Sequence, residues 1–494
     1  MSLLRALPYV PKPRAQGKHT SQAPARWTGA KPACDKFRVR RAWPVACFLL
    51  LAVLLRLPVL HRSVLDWDES LYVLMAQDWL AGHLPYTQIW DNKPPGIYAI
   101  FAVFQAIIPG IAAIRIASAL CLGLEGWAVR GIVMALGGRA WAGWVVGGIA
   151  LLAGLSNDGL SANTEPFMAC CIALAVLCVL RGGPAWLAGL GLGAGVMVKY
   201  VCAPEALLVL ALLWRLRGAR AALAGTLGAA LPALAAALLY LAAGRFGLLW
   251  DDAILANFRR AGVPLSWAQA RFAAAQQAER WGMLYLAALA GLLPAQGRAP
   301  RWFLPLWLLA ALLGALSAKS FYDHYFLELL PPLCVAAGLA LARLPWRMAR
   351  GLSAMAIAAQ LGLAAWHAFA PFTGPDSVRA AARLIRAAAP RSLYVFDSQP
   401  ILYALTGRTP PTRFVLPSEL TGRTLPGVAR VNPAQEVARI LAQRPQIIAT
   451  HSWPPDPATT NPDVYTELHA ALAAHYRLWA HVPGINLFLL RPSP

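Results

Sequence analysis

Long apolar stretches, separated by short polar or basic segments, run through the chain from about residue 44 to residue 370. A helix that spans a membrane needs roughly 20 mostly apolar residues, with ~17 as a lower limit. Most of the stretches come near that length, although several are short. The pattern therefore predicts membrane-spanning helices at 44–61, 111–137, 140–155, 163–181, 185–200, 202–216, 221–243, 281–297, 302–318, 325–343 and 350–370.

The stretch 96–108 is apolar but short, and it directly follows Pro94-Pro95. A length of ~10–14 residues is typical of an interfacial or re-entrant helix. If this stretch does not cross the membrane, every later loop on the inner side carries arginine, as the positive-inside rule requires. The charges then indicate about 11 crossings, while splitting 96–137 into three short crossings gives about 13 with the same orientation. Both counts place loops 62–95 and 245–280, and everything after about residue 371, outside.

The composition agrees with a membrane protein. Hydrophobic residues make up 58% of the 494 residues and charged residues only 13%, which is too little charge to cover a soluble protein of this size. The formal net charge of +22 does not indicate a nucleic-acid partner, because ten Lys and Arg lie in residues 1–42 and many others lie in short loops between apolar stretches. Residues 1–42 are predicted to form a disordered basic cytoplasmic tail, which is suited to contact with anionic membrane lipid.

The last part of the chain, 373–494, changes to a mixed pattern of helices and strands that is typical of a small α/β domain. Helices are predicted at 376–389, 401–405, 434–443 and 463–475. Strands are predicted at 392–396, 413–416, 446–450 and, as a hairpin around Pro483-Gly484, at 476–490. About 115 residues are enough for a separate hydrophobic core.

The first outside loop carries three carboxylates close together, Asp66, Asp68 and Glu69. Like charges this close need a cation, a metal ion or a raised pKa in one of them, and an oriented carboxylate is what a general base requires. Lys93 precedes Pro94-Pro95, which restrict the backbone and fix the position of the ammonium group. A fixed cation suits a lipid phosphate. The alternative is that these are solvated charges of an outside loop.

Other polar residues on the outer side have two interpretations each. Asp158 and Glu165 are either a second acidic site, able to bind a divalent cation, or a solvated turn followed by a helix start. Lys319, His324 and Tyr325 either bind a phosphate or sugar hydroxyl or form an interfacial anchor.

Further cations on the outer side also have two interpretations each. Lys199 forms either a local ion pair with Glu205 or a contact with lipid phosphate. In loop 245–280, Arg259, Arg260 and Arg271 either steer an anionic lipid donor or are surface charges. The acidic pair Asp251-Asp252 is predicted to be solvated.

Several short motifs follow one another along the chain. They are Trp67-Asp68-Glu69 with Tyr72, Asn92-Lys93-Pro94-Pro95-Gly96-Ile97-Tyr98, Ser161-Ala162-Asn163-Thr164-Glu165, Gly195-Val196-Met197-Val198-Lys199-Tyr200, His324-Tyr325-Phe326-Leu327, and Leu405-Thr406-Gly407-Arg408 with Arg413-Phe414. This ordered set, from about 62 to 420, resembles bacterial membrane glycosyltransferases of the GT-C fold. It is similar to protein O-mannosyltransferases, the lipid A aminoarabinose transferase and lipopolysaccharide-core galacturonosyltransferases, of the glycosyltransferase family 39/83 type.

The resemblance implies a helical transmembrane body at 43–372, an outer α/β domain at 373–494, and an inverting sugar transfer. The donor would be a sugar on a polyprenyl phosphate, and the acceptor a lipid, glycan or protein at the periplasmic face of a bacterial inner membrane. In this scheme Asp68 is the general base, Glu69 and Asp158 shape the site, and Lys93 binds the lipid phosphate. A divalent cation, Mg²⁺ or Mn²⁺, is a candidate cofactor, with Asp68 and Asp158 as candidate ligands.

A transporter or flippase of lipid-linked saccharide is the alternative function. Such a protein also has many helices and charged outer loops. It should, however, carry its polar residues near the middle of the membrane, often in broken helices. The polar residues here are predicted to cluster at the outer surface, which favours an enzyme.

Overall fold

The apolar stretches form helices that pack against one another around a common core. The structure is a computed structural model that describes residues 34–292, 299–372, 374–457 and 459–492. The α-helices before the outer domain, numbered α1 to α14, are Cys34–Leu54, Trp67–Leu80, Gly96–Ile107, Ile111–Ala135, Ala140–Ala153, Thr164–Leu180, Ala185–Val198, Ala203–Ala242, Phe246–Leu248, Ala256–Ala261, Trp267–Gly291, Phe303–Ser317, Leu330–Arg343 and Trp346–Leu363. A 3-10 helix at Asp323–Leu329 leads into α13, and a π-helix at Leu249–Leu255 joins the short helices α9 and α10.

Four helical stretches among the described residues are long and apolar enough to cross a membrane. Three are Ile111–Ala135, Tyr200–Ala242 and Asp323–Arg343, and the fourth begins at Trp346 and contains α14. Shorter apolar helices occupy five of the other predicted spans: Trp43–Leu54, Ala140–Ser156, Thr164–Leu180, Ala185–Val198 and Phe303–Ser317. Another, Gly96–Ile107, is the short stretch 96–108, whose crossing the sequence left open. The predicted helical membrane fold is confirmed. The count of about 11 to 13 crossings stays a prediction.

The helix boundaries differ from the sequence expectation in two places. α8 joins the predicted spans 202–216 and 221–243, and Gly218 inside it has φ 81° and ψ 179°, a conformation that favours glycine and turns the chain between two helical segments. α11 joins the predicted surface helix to the apolar stretch that follows it, because no helix-breaking residue separates them. Residues 293–297, the end of the predicted span 281–297, lie outside the described residues.

The predicted domain limits stay predictions. Residues 1–33 of the predicted tail 1–42 lie outside the described residues, and so does position 373, where the outer domain was expected to begin. Helix α1 begins at Cys34, and helix α15 begins at Ser377.

The last part of the chain forms the expected α/β domain. Its helices, α15 to α20, are Ser377–Ala388, Ile401–Thr406, Pro417–Leu420, Leu425–Ala429, Pro433–Ala442 and Pro462–His475. Its strands, β1 to β4, are Leu393–Val395, Ile447–His451, Tyr476–Val482 and Ile485–Leu490. The sheet has the order β1-β2-β4-β3, with β1 and β2 parallel and the other neighbours antiparallel.

The sheet is covered on both faces, as the alternation of its side chains requires. Leu393 and Val395 of β1 belong to a core shared with α15, whereas Tyr394 and the following Phe396 pack with α19 and α20. The hairpin turns at Gly484, whose φ is 86°. The strand predicted at 413–416 is wrong.

Candidate active site

Helix α2 begins in the first loop, and two of the predicted acids lie at its N-terminus. Asp66 is the N-cap residue, and its Oδ1 accepts the backbone N–H of Asp68 at 2.7 Å. Asp68 lies in the first turn, where free backbone N–H groups stabilise a negative charge. The cap therefore fixes the carboxylate of Asp66, whereas Oδ2 of Asp68 accepts from the hydroxyl of Tyr72 at 3.2 Å.

Asp68 is paired with the lysine that the sequence singled out. Nζ of Lys93 lies 3.3 Å from Oδ2 of Asp68 and 3.4 Å from Oδ1 of Asp91. Burial raises the pKa of Asp68. The positive charges of Lys93, His324 and Lys199 outweigh this effect and lower the pKa of Asp68 to about 2. Burial also lowers the pKa of Lys93, and the two carboxylates more than reverse that effect. At neutral pH Asp68 is an anion and Lys93 a cation.

A second cluster joins Asp66 to two residues from distant parts of the chain. Ligand atoms of Asp66, Asp158 and His324 all lie within 4.8 Å of one another. Nδ1 of His324 is buried without a hydrogen-bond partner, 3.9 Å from Oδ2 of Asp158. Burial and the neighbouring charge of Asp68 raise the pKa of Asp66 to about 6.

This cluster has the donor set of a cation site. Two carboxylates and an imidazole suit a divalent transition ion such as Mn²⁺ better than Mg²⁺, which prefers oxygen ligands. The unpartnered nitrogen of His324 fits such an ion. The sequence had paired Asp158 with Asp68 as candidate ligands, whereas the structure groups Asp158 with Asp66, because Asp68 is turned toward Lys93.

Glu69 is fully buried beneath these acids and forms an ion pair with Arg115. Nε of Arg115 donates to Oε1 of Glu69 at 2.8 Å, and the backbone N–H of Ala162 donates to Oε2 at 3.2 Å. Nη1 of Arg115 donates to the carbonyl of Val59 at 2.7 Å. Glu69 therefore holds the first loop and the turn before α6 together, which makes it a positioning residue.

Glu165 and Lys199 form a second buried pair, joined by a short hydrogen bond from Nζ to Oε1. Nζ of Lys199 also lies 3.8 Å from the ring centroid of Tyr325, a cation–π contact. The partner of Lys199 is thus Glu165, and the expected pair with Glu205 is wrong. Glu205 instead accepts from Nε1 of Trp307 at 2.6 Å.

The charged residues of the first loop line a cavity of about 220 Å³, which we call the Lys93 cavity. Asp66, Asp68 and Lys93 from the first loop line it, together with His324 and Tyr325. The structure thus brings together four predicted site residues, Asp68, Lys93, His324 and Tyr325, in one cavity.

Arg260 also lines the Lys93 cavity, and the sequence left its role open. Nη2 of Arg260 lies 3.2 Å from the hydroxyl of Tyr325. Lys319, which was predicted beside Tyr325, instead donates to the carbonyls of Ala261 and Val263 at 2.7 and 3.1 Å and anchors that loop. Only the tertiary contact distinguishes Arg260 from other arginines in the loop.

The outer domain contributes a wall of the Lys93 cavity that the sequence did not predict. Leu416, Ser418, Glu419 and Leu425 line the cavity from this domain. Helix α17 in this segment has Pro417 at its first position. Proline is common there in helices of all kinds, so it does not indicate a functional site.

The outer domain is tied to the loops by buried polar contacts. Asp252, predicted to be solvated, is 4% exposed; its Oδ2 lies 2.6 Å from Nη2 of Arg413, and its Oδ1 accepts from Nε1 of Trp90 at 3.0 Å. The backbone N–H of Trp90 donates to the carbonyl of Arg413 at 2.8 Å. The carbonyl of Arg413 is thus bonded to the first loop and not to a strand of the sheet.

A second polar cavity, the Arg280 cavity, has a volume of about 230 Å³ and is lined by Asp158, Ser161, Arg280 and Asp323. Nη1 of Arg280 lies 2.7 Å from Oδ2 of Asp323. Asp158 lines this cavity and Asp66 lines the Lys93 cavity, so the acidic cluster lies between the two.

Comparison with solved structures identifies the fold. ArnT from Cupriavidus metallidurans bound to undecaprenyl phosphate matches with a TM-score of 0.66 at 15% identity, over 92% of this chain and 99% of that chain. The mycobacterial arabinofuranosyltransferase AftD matches with a TM-score of 0.53 at 16% identity, over 92% of this chain and 41% of that chain. The apo oligosaccharyltransferase of Archaeoglobus fulgidus matches with a TM-score of 0.53 at 12% identity, over 84% and 70%.

Comparisons with protein-family models and with curated proteins gave no match. At identities of 12 to 16% the structural likenesses show the fold alone. The resemblance found in the sequence motifs is confirmed at that level: this chain has the GT-C fold of multi-pass membrane glycosyltransferases.

Proposed function

We propose that this protein transfers a sugar from a polyprenyl-phosphate donor to an acceptor at the outer face of a bacterial inner membrane. The observation that carries the proposal is the Lys93 cavity, in which the carboxylate of Asp68 lies beside the cations Lys93 and Arg260. A sugar phosphate needs both kinds of group, because its ring becomes cationic and its phosphate becomes more anionic during transfer.

In the proposed reaction the phosphate of the donor binds to Lys93, Arg260 and the hydroxyl of Tyr325. A guanidinium and an ammonium group bind phosphate through charge-assisted hydrogen bonds. The same groups stabilise the charge that the phosphate gains when its bond to the sugar breaks. The pair of Tyr325 and Arg260, at 3.2 Å, directs two donors into one part of the cavity.

Asp68 is the proposed general base. Its carboxylate takes the proton of the acceptor hydroxyl, the acceptor oxygen forms a bond to the anomeric carbon, and the bond to the phosphate oxygen breaks with its electron pair. Attack opposite the leaving phosphate inverts the anomeric carbon. The low pKa of Asp68 is compatible with this role, because the hydroxyl becomes acidic as it attacks a ring with cationic character.

The Arg280 cavity is the proposed path of the acceptor, because it reaches the acidic cluster from the other side. A divalent cation, if the protein uses one, would be held by Asp66, Asp158 and His324. It would act there as a Lewis acid that stabilises negative charge. The acceptor is a lipid, glycan or protein that presents a hydroxyl or similar nucleophile.

Mass spectrometry of a strain that lacks the gene tests this function. We expect one sugar mass to disappear from a lipid, glycan or protein, and to return with the wild-type gene but not with the Asp68→Asn variant. Accumulation of the lipid-linked saccharide on the inner leaflet of this strain, rather than on the outer leaflet, would instead support a flippase. Unchanged glycan and lipid profiles would overturn the proposed transfer.

A further inference from the structure

The wall that the outer domain places on the Lys93 cavity contains a buried acid with a free oxygen. Glu419 is fully buried, and its Oε2 accepts the backbone N–H of Leu416 at 3.0 Å. Its Oε1 has no hydrogen-bond partner. A buried polar atom without a partner is destabilising, so a group that lines a cavity in this state is suited to a ligand.

Glu419 is held in place by contacts on both sides of the cavity. Nε1 of Trp67, beside the catalytic acids, donates to Oε1 of Gln399 in the outer domain at 3.0 Å. The contacts of Arg413 with Trp90 and Asp252 fix the chain a few residues before Glu419. The wall is therefore part of a rigid site.

Charges of both signs line the Lys93 cavity. Lys93 and Arg260 supply the positive charge that a phosphate requires. Glu419 lies near the buried carboxylate of Asp91, and burial followed by that charge raises the pKa of Glu419 well above its usual range. This direction favours the protonated form of Glu419, and its free Oε1 can form a hydrogen bond with a ligand hydroxyl in either form.

The size and polarity of the cavity limit what lies against Glu419. A volume of about 220 Å³ corresponds to about seven water molecules, which leaves room for one sugar ring rather than an oligosaccharide. A carboxylate on the ring would lie near the carboxylates of Asp68 and Asp91, and Lys93 is already paired with both. A neutral ring with hydroxyl groups matches the free oxygen of Glu419.

We propose that segment 416–425 of the outer domain recognises the donor sugar, and that Glu419 forms a hydrogen bond with a hydroxyl of a neutral monosaccharide. This inference rests on the proposed function, because it names the class of sugar carried by the lipid phosphate. It assigns to the outer domain a part in donor selection, while the cations of the membrane domain bind the phosphate that all such donors share.

The test compares ligands with and without the sugar. Purified full-length protein in lipid nanodiscs is titrated with undecaprenyl phosphate and with its glucosyl, galactosyl, mannosyl and galacturonosyl derivatives. We expect at least one neutral sugar to bind more tightly than undecaprenyl phosphate alone, and the galacturonosyl derivative to gain nothing. Glu419→Ala should weaken the best neutral ligand about tenfold and leave undecaprenyl phosphate unchanged.

Glu419→Gln is the matched variant, because an amide can still accept from Leu416 and donate into the cavity. It should bind the neutral ligand within about threefold of the wild type. A Glu419→Ala variant that weakens both ligands equally would show a structural role only and would overturn the inference. Tightest binding of the galacturonosyl ligand, or no gain from any neutral sugar, would also overturn it.

The proposed function fails in a different way. If undecaprenyl phosphate does not bind the wild type, or binds the wild type and a Lys93→Ala variant equally, then the phosphate site itself is wrong. A phosphate that binds through Lys93, with no contribution from Glu419, overturns only the inference about the sugar.

Discussion

The ammonium group of Lys93 lies 3.3 Å from a carboxylate oxygen of Asp68, although 24 residues of loop and helix separate the two in sequence. Each group keeps the other charged within the buried site. The proposed base and the proposed phosphate ligand therefore lie side by side. Their roles differ, and separate measurements of turnover and of ligand binding distinguish them.

Replacement of the proposed base should affect turnover more than binding. We expect Asp68→Asn to reduce sugar transfer by about 10² to 10⁴, because the amide cannot take the proton of the acceptor. The measurement is the rate of product formation in membranes, with protein amounts matched. Asp78→Asn, in the same helix but paired with His83, is the control and should retain activity. Wild-type turnover of Asp68→Asn would contradict the base assignment.

Replacement of a proposed phosphate ligand should affect binding. Arg260→Ala should weaken the binding of undecaprenyl phosphate by about 10- to 100-fold, as expected for the loss of a hydrogen bond to a charged group. Titration of the purified protein measures the change. Arg271→Ala, an exposed arginine of α11, is the matched control. Equal binding by both variants and the wild type would exclude Arg260 from the phosphate site.

The buried pair of Glu69 and Arg115 should dominate the stability of the first loop. Arg115→Met leaves Glu69 buried without its partner, and we expect it to destabilise the protein by about 3–5 kcal/mol. The double variant Arg115→Met/Glu69→Gln should be less destabilised, because no unpaired charge remains. Thermal unfolding in detergent measures the stability of the single and the double variant. A double variant less stable than Arg115→Met would argue against a simple ion pair.

Asp376 makes the junction between the first loop and the outer domain sensitive to acid. Its Oδ1 accepts from the Ser63 hydroxyl at 2.5 Å, its Oδ2 accepts from the Ser63 N–H at 2.9 Å, and it caps α15 by accepting the N–H of Arg379. Burial raises the pKa of Asp376, but these hydrogen bonds lower it overall. A lowered pKa stabilises the folded junction above about pH 4 and stops doing so as the carboxylate is protonated at lower pH.

Hydrogen exchange of the first turn of α15 measures this effect. Exchange should be slow at pH 7 and faster near pH 3, after correction for intrinsic rates. Asp376→Ala removes the cap and should give fast exchange at both pH values, at a cost of about 1 kcal/mol. Asp463→Ala, in the first turn of α20, is the control. Protection that does not depend on pH in the wild type would contradict the role of Asp376.

The orientation of the chain is testable with fusions. A reporter joined after residue 370 should be active as alkaline phosphatase and non-fluorescent as green fluorescent protein, because the outer domain is expected in the periplasm. The opposite pair of results would place the outer domain, and the Lys93 cavity with it, in the cytoplasm.

The sequence determined the fold class and the main elements of the site. Apolar stretches of near-membrane length predict helices because a bilayer leaves the backbone no other partner for its hydrogen bonds. The alternation of strands and helices after residue 373 predicted the α/β domain, except for the strand at 413–416. Asp68 and Lys93 were predicted as site residues because charged residues are rare in such an apolar chain, and a cluster of them indicates a functional site.

Only the tertiary structure decided which charges belong together. Asp66 joins Asp158 and His324, Lys199 pairs with Glu165, and Arg260 meets Tyr325, in each case across long stretches of sequence. Glu419 is an ordinary acid in the sequence and gains its character from burial beside Asp91. Sequence spacing predicts contacts within one helix or strand, whereas these contacts and the resulting pKa shifts depend on how separate elements pack, which no local pattern contains.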